Sequence, residues 1–144
     1  MIVGTAAFTP VIEDITAAVG PEQLIIAVDS KNGKIVVKGW REATEFGAEQ
    51  VIQRLEPFCG GFLCTYVDKE GMMQGTDLNW FRRLRAATQH EITAAGGITT
   101  IEEIHALAAM KVHAALAASI FHYGTYTVGD LKQFLSERGI GIRP

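Results

Sequence analysis

Within "LIIAVDSKNGKIVVKGW", residues 24–40, an apolar run stops at a carboxylate, Asp29, and a short polar stretch follows. An unpaired ionised carboxylate is expensive at the end of a buried strand. Asp29 is therefore a candidate for proton transfer, although "DSKNG" also has a turn-forming composition and Asp29 could simply cap that turn. Two further stretches carry anion-binding features. In "AAGGIT", Gly96 and Gly97 let backbone approach a ligand closely, and the helix start behind them offers N–H donors and a positive dipole end. In "LAASIF", Ala117, Ala118 and Ser119 leave room and add a hydroxyl. Together these two stretches form a phosphate cup of the kind found after the last two strands of a (β/α)8 barrel. "VGTAAF" has the same form, so Thr5 is either part of a second anion site or a helix N-cap.

Other reactive side chains do not assemble into a site. Asp68, Lys69 and Glu70 are adjacent charges that read as a solvated loop, and the four histidines are scattered without triad or metal-ligand spacing. Cys59 and Cys64 have no partner ligands at metal spacing and read as structural thiols of a reducing compartment. Trp80 and Phe81 read as core or interface anchors. No metal and no cofactor is expected.

The elements that must position these residues alternate along the chain. Strand-like runs "MIVGTA", "LIIAVD", "GFLCTYV", "EITAAGG" and "AALAAS" are short, nearly continuously apolar and closed by small or polar residues. That pattern predicts a parallel sheet of five strands joined by crossover helices. Thr99 with Glu102, and Thr100 with Glu103, match the capping-box spacing. Thr127 is an N-cap for a last helix stopped by Gly139. A first helix within "PVIEDITAAVG" ends at Gly20-Pro21, "ATEFGAEQVIQRLEPF" is a helix ended by Pro57, and "DLNWFRRLRAAT" is another. Length and 48% hydrophobic content fit one domain over residues 1–144. A net charge of -3 with dispersed Lys and Arg argues against a nucleic-acid partner. No apolar run of membrane-spanning length or basic leader is evident, so a soluble cytoplasmic protein is expected, with no membrane partner.

"LIIAVDSKNGKIVVKGW", "TYVDKEGMMQGTDL" and "EITAAGGITTIEEI", in this order, resemble the C-terminal half of the histidine-biosynthesis isomerase family, HisA. "AALAASIFHYGTYTVGDLKQFLSERGIGIRP" is more similar to the tail of the related cyclase subunit of imidazole glycerol phosphate synthase, HisF. The resemblance spans essentially the whole chain. It implies an α/β half-barrel of five βα units, strands four to eight of a (β/α)8 barrel. An open, doubly wound flavodoxin-like sheet, which also has five strands, is the structural alternative.

By that resemblance Asp29 matches the catalytic aspartate on barrel strand five, the general acid at the sugar ring oxygen. Trp40 and Thr65 match substrate-binding positions, Trp40 on a loop able to fold over the substrate. Gly96, Gly97, Ala118 and Ser119 match the phosphate site of strands seven and eight, and Thr5 the strand-four part of a second one. The implied reaction is an aminoaldose-to-aminoketose Amadori rearrangement of a bis-phosphorylated imidazole carboxamide ribotide.

Two departures stand out. Glu70, Gly71 and Met72 replace the usual Asp-Gly-Thr, and the first-strand aspartate that serves as general base has no counterpart. The expected partners are a phosphorylated sugar nucleotide or phosphate, together with a second copy in a homo-oligomer or a separate N-terminal half-barrel. A phosphate-binding module without turnover, whether a remnant or an engineered fragment, is the alternative function. A cyclase-like role is favoured only by the tail, because "DSKNGKIVVKGW" lacks the longer insertion that the cyclase carries there.

Overall fold

The computed structural model describes residues 1–142. In chain order the strands are β1 (Ile2–Val3), β2 (Ile25–Lys31), β3 (Lys34–Val37), β4 (Glu42–Ala43), β5 (Gly61–Tyr66), β6 (Glu91–Ala95) and β7 (Ala114–Ala115). The helices are α1 (Val11–Val19), α2 (Ala48–Leu55), α3 (Leu78–Ala87), α4 (Ile101–Ala109), α5 (Ser119–His122) and α6 (Val128–Glu137). The strands form one sheet in the order β4-β3-β2-β5-β6-β7, and β1 pairs in parallel with the first residues of β2.

Without the β3–β4 extension, the parallel strands run β1-β2-β5-β6-β7, each beside its predecessor in sequence. That is the order of successive barrel strands. It rules out the flavodoxin-like alternative, whose order 2-1-3-4-5 requires the first crossover to reverse direction.

Register divides the sheet into two chemically different faces. Ile26, Phe62 and Ile92 share one row, and Val28, Cys64 and Ala94 the next. All six are buried, in one core with Val51, Ile52 and Leu55 of α2, Phe81 and Leu84 of α3, and Leu107 of α4. The opposite face carries Ile2, Ile25, Ala27, Leu63, Thr93 and Ala114, which are half-buried or exposed. Its last row is Asp29, Thr65 and Ala95.

Several local expectations hold. Thr100 caps α4 and Thr127 caps α6, each in a reciprocal box with the residue three positions on, and Asp77 caps α3 through the Trp80 N–H at 2.9 Å. Gly20 follows α1 with φ 84°, and Gly139 follows α6 with φ 72°.

Others need correction. β2 does not stop at Asp29 but continues to Lys31 and turns through Asn32-Gly33 into antiparallel β3. Both turn residues have positive φ, 50° and 75°, as a type I′ hairpin turn requires. Asp29 is therefore a strand residue paired with Val36, not a turn cap. Helix α2 begins only at Ala48, because Ala43 pairs in β4 and the Thr44 N–H and Phe46 carbonyl bond to Ile35.

Candidate functional site

The candidate residues gather at the carboxyl edge of the parallel strands. Asp29 and Thr65 are register neighbours on the uncovered face, so their Cα atoms lie one strand spacing apart, about 5 Å. Ala95 is next in the row, and Gly96 and Gly97 continue from it into the loop before α4. Beyond β7, Ala118 precedes α5 and Ser119 is its first residue. The first N–H groups of that short helix have no intrahelical acceptor.

These residues line two adjoining clefts. The first, about 290 Å³, includes Thr65, Gly96, Gly97, Ala118 and Ser119 in its wall, with Glu70 at its side. The second, about 180 Å³, is bounded by Thr5, Asp29 and Lys38. Trp40 belongs to both walls. Its indole Nε1–H donates to Asp29 Oδ2 at 2.8 Å. The structure thus brings all eight candidate residues to one edge, with Trp40 standing between two groups of them.

The glycines have a steric explanation inside the protein. Gly96 has φ 96°, and a Cβ there would collide with the backbone of Tyr66. A Cβ on Gly97 would lie 2.5 Å from Lys69 Cβ and 2.9 Å from the Lys69 carbonyl oxygen. Both positions are held to glycine, Gly96 by the end of β5 and Gly97 by the loop after it, whether or not a ligand binds.

The start of α4 also differs from expectation. The Glu103 carboxylate accepts the Thr99 and Thr100 N–H groups at 2.8 and 3.0 Å, and its other oxygen accepts the Thr76 N–H at 2.7 Å. Part of the donor set expected to face an anion is already satisfied by an internal one. Thr5 is not a helix N-cap, since it lies within a short 3-10 turn over Thr5–Phe8 and its hydroxyl accepts the Lys38 N–H at 2.9 Å.

The sequence does not mark two contributors, Asp68 and Lys38, nor the second role of Glu103 beyond its capping box. Asp68 is more than a solvated charge, because its Oδ2 accepts the Asn32 N–H at 2.8 Å and ties the hairpin turn to the loop after β5. Lys38 lines the second cleft, and Glu103 braces the first. The Asn-Gly pair was the available signal for the hairpin; nothing local marks the other contacts. Cys59 and Cys64 are free and buried, and burial pushes the Cys59 thiol up to about 11 and Cys64 further in the same direction. Among the described residues no three His, Cys, Asp or Glu side chains converge on a metal-sized site, and no helix is long and apolar enough to cross a membrane.

The family model described as "Histidine biosynthesis protein" matches residues 1–127. The chain is 34% identical over 137 residues to a phosphoribosyl imidazole-4-carboxamide isomerase of Methanocaldococcus jannaschii, covering 94% of this chain and 56% of that protein. It is 37% identical over 137 residues to the imidazole glycerol phosphate synthase subunit HisF of Thermococcus gammatolerans, covering 92% and 54%. The HisF subunit of Pyrobaculum aerophilum is 33% identical over 129 residues, covering 86% and 51%. The chain spans about half the length of these curated relatives. Family match, strand order and strand-edge site agree, and the chain belongs to the histidine biosynthesis protein family.

Proposed function

We propose that this chain is the phosphate-binding, acid-bearing part of an aldose-ketose isomerase that acts on a bis-phosphorylated imidazole carboxamide ribotide, and that a complement completes its barrel. The observation that carries this reading is the last row of the uncovered face. It places Asp29 beside Thr65, one cleft away from Gly97 and Ser119. A substrate phosphate seated at Ser119 and Gly97 would direct the sugar along that row toward Asp29, and fixing both ends of a substrate turns the proton transfers into effectively unimolecular steps.

In the Amadori rearrangement Asp29 gives its proton to the furanose ring oxygen as the C1–O bond breaks. A base then removes the C2 proton to give an enaminol, which takes up a proton at C1 as its C2 hydroxyl gives one up, leaving the ketose. The chain supplies the acid. The base belongs to the complement, either a second copy or the three βα units that would precede β1 in a full barrel. The isomerase reading is preferred to the cyclase reading because the β2–β3 connection is a two-residue turn, with no room for an insertion. The tail after β7 favours the cyclase, and the missing base favours a module that binds without turnover.

The phosphate part is tested by amide chemical shifts during titration with inorganic phosphate. Saturable shifts at Gly97, Ser119 and Ile120, abolished by Ser119→Asp, are expected. Unmoved amides at all three positions would remove the cup, and the substrate class with it.

A further inference from the structure

On the helix side of the sheet a gap remains between α1 and α2. Of the α1 residues Ile12 alone is buried, and α2 begins only at Ala48 because the Thr44 and Phe46 backbone is held by Ile35. The resulting cleft measures about 450 Å³, larger than either cleft at the strand edge. Its floor is apolar and buried, formed by Ala7, Ile12, Val51 and Leu55. The rings of Phe8, Phe46 and Phe58 line it. The Thr16 hydroxyl donates to the Phe58 carbonyl at 3.2 Å and ties α1 to the turn that follows α2. An apolar floor of this size with a few polar groups at its edge is the general anatomy of a small-molecule site.

Two opposite charges face this cleft, Glu13 from α1 and Arg54 from α2. Both are exposed, which sets them at the rim rather than on the floor. They do not satisfy each other. Among the described residues the ion pairs are Lys38–Glu42 and Arg83–Glu49, so Glu13 and Arg54 share one cleft without joining across it. Arg54 instead lies over the Phe46 ring, its guanidinium carbon 6.0 Å from the centroid, and the cation stands beside the aromatic wall. A ligand that answers all of this carries a carboxylate and an ammonium at one end and a flat apolar body at the other. A phosphate dianion would meet the Glu13 carboxylate, and a hydrocarbon would leave both charges unanswered.

We propose that the cleft between α1 and α2 binds a free aromatic α-amino acid, with its carboxylate on Arg54, its ammonium on Glu13 and its ring among Phe8, Phe46 and Phe58. Aromatic rings pack on one another in offset or edge-to-face geometry, which favours such a ligand over an aliphatic one. The assignment is independent of the phosphosugar reading, because none of these residues lines the cleft of Gly97 and Ser119. Phe8 does belong to the wall of the cleft that holds Thr5 and Asp29. The ring on which the ligand packs thus also bounds the cleft of the proposed acid.

Titration of the isotope-labelled chain with L-phenylalanine should give saturable amide shifts at Thr9, Phe46 and Arg54 and leave Gly97 and Ser119 unmoved. An affinity on the order of 1 mM is expected for a ligand of this size. Phenylpropionate, which lacks the ammonium, and phenethylamine, which lacks the carboxylate, should each bind about tenfold more weakly. Arg54→Met should weaken L-phenylalanine about tenfold and leave phenethylamine within about twofold, and Glu13→Gln should weaken L-phenylalanine while leaving phenylpropionate within about twofold. Both replaced side chains are exposed, so the variants keep the fold. Amides unmoved up to about 50 mM L-phenylalanine overturn the site. Equal binding of the three compounds makes the cleft an unselective apolar groove and overturns the amino-acid assignment. Shifts at the same amides that appear on raising the protein concentration without ligand give the cleft to a second copy, with the same consequence.

Discussion

At the residue scale, each small or charged group at the strand edge answers to a specific neighbour. Gly97 sits at φ 75° with Lys69 closing over it, so Gly97→Ala combines a left-handed backbone penalty with a backbone clash. Such a change should lower stability by about 2–4 kcal/mol in urea unfolding. A loss below about 1 kcal/mol would mean that the loop after β5 yields. The buried thiols make an opposite kind of prediction. Cys59 is held neutral up to about 11 against an ordinary value of 9.0, while the unfolded chain releases that proton earlier. Stability from this group is complete below pH 9 and declines as pH rises from there toward 11. Cys59→Ala should flatten that decline in thermal melts across the same range.

Asp29 stands out as a candidate in the sequence because an acid at the end of an apolar run is rare. Its partner does not, because the indole that binds it lies eleven positions on, across a hairpin whose geometry no local pattern specifies.

At the element scale, the chain reads well where the physics is local. Capping at Thr100 and Thr127 depends on residues three apart, and both boxes form as their spacing suggests. The β2–β3 hairpin is equally local in its Asn32-Gly33 turn, but an apolar run that ends at Asp29 gives no sign that "KIVV" pairs back on it. Helix α2 is shorter than its sequence suggests: "ATEFGAEQ" is compatible with a helix, whereas the Thr44 and Phe46 backbone groups are held by Ile35. Glu103 acts both locally and at distance, capping α4 and holding Thr76 twenty-seven positions away. Glu103→Ala should therefore cost about 1–2 kcal/mol. It should also speed amide exchange at Thr76, a change that loss of the helix cap alone does not produce.

At the scale of the whole molecule, the helices cover one sheet face and leave the other open. Ile2 is 60% exposed and Leu116, just past β7, is 54% exposed. Among the described residues β7 pairs only with β6. In a closed barrel that face is a packed interior and every strand has two neighbours. An open apolar face beside an unpaired edge favours association. Light scattering should show a mass above the monomer that grows with concentration, and a monomer at all concentrations would mean that the face is covered from within the chain. The five parallel strands and their crossover helices were legible from the alternation of apolar runs, whereas the strand order was not, because the same alternation fits an open doubly wound sheet. What packs against the open face was not, because an apolar run does not specify what lies on its far side.

The most direct test of the account is turnover of the bis-phosphorylated aminoaldose by this chain mixed with a polypeptide that supplies the three βα units that would precede β1 in a full barrel, with a first-strand carboxylate. The account predicts isomerisation by the mixture, and a fall of about 10²- to 10⁴-fold when Asp29→Asn replaces the parent chain. A mixture that turns over equally fast with Asp29→Asn would contradict it.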